Sequence, residues 1–284
     1  MTVKVVSSSV ERLQQKAHDW NVAITRTLET QSSVLALGTR NGTPVLLKIV
    51  REQGDEWQSG AVLKAFGGDG AVRVFEESEG AMLVERAVPG TALIEMALAG
   101  HDDEATEILS GVMGRLWDPQ RTAPSVTIQD WGAAFDRYLA SGDDRLNREL
   151  VSKARSTFHE LARTQATPIL LHGDLHHYNV LLDDKRGWLV IDPKGVIGER
   201  EYEIGAVLRN PMEDFAEFAQ PGVIARRVRT FETALGLNAD RILRWSFAQG
   251  VLSAIWLLED GFPIPSDHSG LLLAHSIQRM LDHR

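Results

Sequence analysis

The sequence predicts an α+β chain of two segregated lobes, a small β-rich N-lobe and a larger, mostly helical C-lobe. Three observations carry that expectation. Strand-like runs crowd the chain up to Arg86, helical spacing dominates the remainder, and the change of character falls at Pro89-Gly90. A length of 284 residues accommodates one large domain or two lobes, and 43% hydrophobic with 24% charged content is ordinary for a globular protein with its own core. The division expected is 1–88 for the N-lobe and 89–284 for the C-lobe.

Thr25–Thr30 has the composition of a strand edge. Val34–Thr39 reads as a strand, Asn41-Gly42 is the strongest short hairpin signal, and Pro44–Val50 is the returning strand. Asp55–Phe66 has helical spacing through Trp57, Ala61 or Val62, and Ala65 or Phe66, and Gly67-Gly68 ends it. Val72–Glu76 and Ala81–Arg86 are the remaining strands of this lobe. Beyond Pro89-Gly90, Asp102–Trp117 is amphipathic with acids at its start, where a helix N-terminus favours them. Ile128–Leu139, Arg145–Ala162, Gly222–Leu235, Ala239–Leu258 and Ser269–Asp282 also read as helices. The clear strand signals in this half are Val180–Leu182 and Trp188–Ile191, joined by the polar turn Asp183–Gly187.

The chain has no cysteine, so disulfides and thiolate metal sites are excluded. Met1–Trp20 lacks the apolar core of a signal peptide, and the longest apolar runs are too short to span a bilayer. A cytoplasmic protein without a membrane partner is expected. The formal net charge of -9 argues against nucleic acid as the main partner and is compatible with attraction of a small cation, although a merely solubilising surface is the simpler explanation of charge alone.

The chemistry concentrates in Ile169–Gly195, ILLHGDLHHYNVLLDDKRGWLVIDPKG. If its two strands form a hairpin, Asn179 stands at the entrance and Asp192 at the exit, so the two meet beside the loop carrying Asp174. Three oxygen-bearing side chains then converge, which suits Mg²⁺ held by one or two carboxylates plus substrate phosphates. Each residue alone is an ordinary turn former. Together, H-x-D-x-x-x-x-N, an apolar strand, and an Asp after a second strand match the catalytic segment of kinases. No H-E-x-x-H helix is present, so His172, His176 and His177 are not expected to hold zinc. His172 is expected to brace the loop; His176 and His177 either line the cleft or satisfy loop backbone. Lys48, inside the apolar run PVLLKIV, must find an anion or reach water.

On these residues the chain resembles the aminoglycoside phosphotransferase superfamily, small-molecule kinases with a protein-kinase-like fold. HGDLHHYNVLL, WLVIDPKGVIGEREYEIGAVLRNP and WLLEDG resemble, more narrowly, the streptomycin-phosphorylating members of the aminoglycoside and hydroxyurea resistance kinases. The resemblance implies that Asp174 orients the acceptor hydroxyl and accepts its proton, that Asn179 and Asp192 hold Mg²⁺, and that Lys48 contacts the α- and β-phosphates of ATP or GTP. It implies a hinge at Glu85–Ala87 whose backbone bonds the adenine edge, and a loop at Glu29–Ser33 over the triphosphate. It also implies streptomycin as acceptor, at the streptidine 6-hydroxyl. The alternatives are another small alcohol, another aminocyclitol, hydroxyurea, or a nucleotide-binding scaffold without turnover.

Departures from the kinase pattern shape further expectations. No G-x-G-x-x-G covers the phosphates, so Ser32 and Ser33 take that place. Ser59 fills the slot of the usual helix glutamate, and Glu56, one turn earlier, is the expected partner of Lys48. Pro193 after Asp192 stiffens the backbone against a flipping switch. Guanidinium groups on the antibiotic call for carboxylates. Glu259 or Asp260 is expected to contact it, with Trp256 stacking, and Glu203 and Asp214 are second choices. The expected partners are thus a nucleotide and a small cationic antibiotic; a monomer is expected, with a dimer as the alternative.

Overall fold

The computed structural model describes residues 8–282 and has a β-sheet N-lobe over a helical C-lobe. It opens with a helix that the sequence pattern does not disclose, α1 (Ser9–Asp19). A capping box starts it: Glu11 N–H donates to Ser8 Oγ at 3.2 Å, and Ser8 N–H donates to Glu11 Oε2 at 2.8 Å. Leu13 and Ala17, one turn apart, are its buried contacts with a small core that includes Val34, Ala36 and Leu47. The Arg12 guanidinium lies 5.4 Å from the Trp57 ring and donates to Val50 O at 3.0 Å, fastening α1 to the sheet.

Strands β1 (Ala23–Glu29), β2 (Ser33–Arg40), β3 (Thr43–Val50), β4 (Val74–Ser78) and β5 (Ala81–Glu85) form an antiparallel sheet in the order β1-β2-β3-β5-β4. The β2–β3 hairpin turns on Asn41-Gly42, both with left-handed φ (52° and 78°), as a two-residue hairpin requires. The helix expected at Asp55–Phe66 divides into a 3₁₀ turn (Asp55–Gln58) and α2 (Ser59–Ala65). The strand expected at Val72–Glu76 starts two residues later, because Val72 N–H donates to Val190 O at 3.1 Å instead.

The C-lobe begins with β6 (Pro89–Ala92), α3 (Ile94–Leu98), α4 (Asp102–Leu116), β7 (Val126–Thr127), α5 (Ile128–Ser141) and α6 (Arg148–Arg163). Strands β8 (Ile169–Leu171), β9 (Val180–Asp183), β10 (Gly187–Val190) and β11 (Val196–Gly198) come next, then α7 (Arg200–Leu208), α8 (Phe215–Phe218), α9 (Pro221–Leu235), α10 (Ala239–Glu259) and α11 (Ser269–Asp282). Two three-stranded sheets, β10-β9-β6 and β7-β11-β8, form the floor of the cleft between the lobes. α10 is buried along most of its length, with Trp245 fully enclosed, and packs against α6, α7 and α11. Among the described residues no helix is long and apolar enough to cross a membrane.

Candidate active site

The β9–β10 hairpin does what its spacing predicts. Val180 pairs with Val190, and Ile191 N–H donates to Asn179 O at 3.0 Å, so Asn179 and Asp192 stand side by side at its open end. His172 is the brace: Lys194 and Gly195 N–H donate to its carbonyl at 3.0 and 2.9 Å, and its Nε2 lies 2.9 Å from Ile191 O. Burial pushes its pKa down to about 4, so the ring is neutral. Gly173 has φ +85°, and a Cβ there would meet Trp131 at 3.0 Å, so the turn into Asp174 depends on glycine. His176 lies beside Asp174, with Nε2 3.7 Å from Oδ2. His177 is fully buried with no hydrogen-bond partner on either ring nitrogen, and burial holds its pKa well below the usual range, so it is a neutral interior group.

Glu203 corrects an expectation. It is not a substrate acid: it is 1% exposed, and its two oxygens accept His172 N–H at 2.7 Å and Gly173 N–H at 2.9 Å. It therefore holds the backbone that carries Asp174. Burial, aided by the nearby Asp174 charge, raises its pKa to about 7 against the lowering effect of those hydrogen bonds.

Asp174 sits among cations. Arg209 Nη2 donates to Oδ1 at 2.8 Å and Lys194 Nζ stands 3.6 Å from Oδ2. Burial alone would raise the carboxyl pKa; Lys194, His176 and Arg209 outweigh it and hold it well below the usual range. Sequence reasoning passes over Arg209 and Lys194, although both lie in the WLVIDPKGVIGEREYEIGAVLRNP block.

Lys48 is 4% exposed in β3, and its Nζ contacts Glu56 Oε2 at 2.7 Å and Asp192 Oδ1. The expected Lys48–Glu56 contact is therefore present. Burial opposes the ammonium charge, but Asp192 and Glu56 together raise its pKa. Burial, with Glu56 and Asp174 nearby, also pushes the Asp192 carboxyl up despite Lys48. The site thus holds more negative charge than one lysine balances, a deficit that a divalent cation would fill. Asn179 Nδ2 donates to Asp174 O at 2.9 Å, which commits the amide nitrogen and leaves Oδ1 as a hard donor. Asn179 and Asp192 fit Mg²⁺, which draws its other ligands from phosphates and water. Among the described residues no group of three His, Asp or Glu forms a protein-only cage.

A cavity of about 560 Å³ runs from Ser32 and Ser33 past Lys48 and Asp192 to the Glu85–Ala87 backbone. Ser32 Oγ donates to Glu56 Oε2 at 3.2 Å, whereas Ser33 N–H is taken by Thr30 Oγ1 at 3.0 Å. The Glu85 carboxylate turns away to Arg186 and to Arg73 N–H. Asp174 borders a further cavity of about 340 Å³, and another of about 290 Å³ shares Lys194 and Trp256 with it. Glu259 and Asp260 line the second, and Glu259 is held by Arg137 through bonds of 2.8 and 3.0 Å. Asp214 is a second correction: it is exposed at the start of α8 and borders none of these cavities, while its neighbour Glu213 bonds the Tyr178 hydroxyl at the rim.

A sheet lobe with a Lys–Glu pair, closed over a helical lobe with an H-G-D loop and a hairpin aspartate, defines a phosphotransferase of protein-kinase-like fold. The chain belongs to the aminoglycoside/hydroxyurea antibiotic resistance kinase family, whose model matches residues 19–261, and it is a small-molecule kinase with an alcohol group as acceptor. It is 34% identical over 241 residues to streptomycin 3''-kinase of Klebsiella pneumoniae, covering 82% of this chain and 87% of that one. It is 28% identical over 236 residues to streptomycin 6-kinase of Streptomyces griseus, covering 81% and 76%. The fold is shared with aminoglycoside phosphotransferase APH(4)-Ia in complex with ADP and hygromycin B, at TM-score 0.64 and 17% identity over 95% of this chain and 97% of that one. Choline kinase LicA from Streptococcus pneumoniae shares it at TM-score 0.66 and 11% identity, over 97% and 100%.

Proposed function

We propose that the chain transfers the γ-phosphoryl group of ATP or GTP to a hydroxyl of streptomycin. The observation that carries this is the position of Asp174, which borders the acceptor cleft while Asp192, brought beside Asn179 by the β9–β10 hairpin, lines the nucleotide cavity. Lys48, positioned by Glu56, contacts the α- and β-phosphates; Ser32 and Ser33 cover the triphosphate; the Glu85–Ala87 backbone receives the adenine edge. Asn179 and Asp192 hold Mg²⁺, which neutralises phosphate charge when bound. Asp174 aligns the hydroxyl with the γ-phosphate and takes its proton, so positioning and electrostatics do most of the work.

The acceptor hydroxyl has two readings. The motif resemblance favours the streptidine 6-hydroxyl. The 34% identity to a streptomycin 3''-kinase, against 28% to a 6-kinase, favours the 3''-hydroxyl. Incubation with Mg-ATP and streptomycin should add one phosphoryl group by mass, and NMR of the product locates it. Replacing Asp174 by Ala should lower kcat about 10²–10⁴-fold with nucleotide affinity unchanged. An unmodified antibiotic, with hydroxyurea phosphorylated instead, would overturn the substrate and keep the chemistry.

A further inference from the structure

We propose that Lys194 is a catalytic residue that binds the phosphoryl group in transfer, a second cation across from Lys48. The inference rests on the phosphotransferase reading of Asp174. Lys194 and Arg209 border the cavity that receives a polycationic antibiotic. A cation there works against the charge of the substrate, so its useful partner is an anion. Two anions meet at that point, the Asp174 carboxylate and the transferred phosphoryl group.

Arg209 is committed to the first. Its Nη2 donates to Asp174 Oδ1 at 2.8 Å and its Nη1 to Gln249 Oε1 at 3.2 Å. Lys194 is not. Its Nζ stands 3.6 Å from Oδ2, beyond a hydrogen bond, on a side chain 29% exposed. Its backbone is fixed, by Pro193 before it and by the bond from its N–H to His172 O at 3.0 Å. It follows Asp192, which meets Lys48 in the nucleotide cavity, by two residues. An ammonium anchored at its base and loose at its tip therefore stands beside Asp174 at the acceptor cavity, two residues along the chain from the Asp192 that lines the nucleotide cavity.

In the step itself the acceptor oxygen bonds to the γ-phosphorus, and the bond from that phosphorus to the β–γ bridging oxygen breaks. The nucleoside diphosphate leaves with the electron pair, and the hydroxyl proton goes to Asp174 Oδ2. Oδ1 is held by Arg209, so Oδ2 is the oxygen with only loose contacts. Lys194 Nζ moves from Oδ2 to an equatorial oxygen of the transferring group, where charge accumulates. The same movement frees Oδ2 for the proton.

The test is calorimetric binding of ADP to the intact protein with Mg²⁺ and streptomycin, with and without aluminium fluoride, a planar mimic of the transferring group. Aluminium fluoride should tighten ADP binding by the wild type, because the mimic resembles the transition state. Lys194→Met should lose about 10²-fold of that tightening, with affinity for ADP alone unchanged, and Lys194→Arg should keep most of it. Equal tightening in wild type and Lys194→Met overturns the proposal. A parallel fall in affinity for ADP alone also overturns it, since Lys194 would then only hold the loop. Absence of tightening in the wild type counts against the phosphotransferase reading itself, and the proposal falls with it.

Discussion

At the scale of single residues, the environment of Asp174 decides what kind of base it is. Three cationic or basic neighbours keep it ionised far below neutral pH, so it binds protons weakly and contributes chiefly by aligning the acceptor. Burial brings Glu203, which holds the loop behind Asp174, to about 7. Protonated, it loses an acceptor site for the His172 and Gly173 amides, so kcat should rise with pH through about 7. Because its folded pKa is raised, folding favours the protonated form. Stability should therefore fall as pH climbs from the ordinary value of 4.5 to about 7 and level off above it. Glu203→Gln should flatten both curves; kcat and Tm profiles from acid to alkaline pH check this. At the acidic end of the acceptor cleft, Glu259→Gln removes an exposed carboxylate and leaves Arg137 without its charged partner there. Streptomycin KM should rise about tenfold, ~1.4 kcal/mol, with ATP KM unaltered. The sequence brought Asn179 and Asp192 together because a hairpin joins its ends, and it singled out Lys48 as a cation inside an apolar strand, while Glu56, outside the usual glutamate slot, came from helical spacing alone. It could not separate Glu203 from Asp214, two acids equally polar on paper, since only burial distinguishes a loop anchor from a surface residue. Nor could it pair Arg209 with a carboxylate 35 residues away.

At the scale of elements, legibility followed length and contrast. The long amphipathic helices and the β2–β3 hairpin showed a polar face against an apolar one. α7 escaped because almost all of Arg200–Leu208 is buried and no polar face gives it a period. β7, β8 and β11 are two or three residues long, too short for alternation to register. α1 escaped for the opposite reason: it is polar nearly all round, and Leu13 and Ala17 alone are buried. Leu13→Ala should cost about 2–5 kcal/mol, read as a lower Tm, because it opens a void under the sheet. The turn between β9 and β10 carries a second element-level role. Asp183 accepts N–H bonds from Val88, Lys185 and Arg186, and Arg186 reaches Glu85 and Gly68 O, tying the hinge to the C-lobe. Arg186→Met should raise nucleotide KM about tenfold, in line with loss of a charged hydrogen bond, while streptomycin KM stays constant.

At the scale of the whole molecule, charge and rigidity matter most. A net charge of -9 draws a polycation from a distance. Rising ionic strength shortens the Debye length from about 30 Å to about 3 Å between 0.01 and 1 M. Over that range kcat/KM for streptomycin should fall while kcat holds, and steady-state kinetics at stepped salt would show it. An unchanged kcat/KM would mean that the acidic surface serves solubility alone. Rigidity has a different consequence. The backbone on either side of Asp192 and Pro193 is bonded to His172 through Ile191, Lys194 and Gly195, and Glu203 holds His172 in turn, so the loops that carry Asp174 and Asp192 form one rigid unit. What such a centre still calls for is the counter-charge beside Asp192 that a divalent cation would supply. With so rigid a centre, output would follow the number of copies made and the supply of cation, nucleotide and acceptor, so the effect of the enzyme becomes a matter of dose.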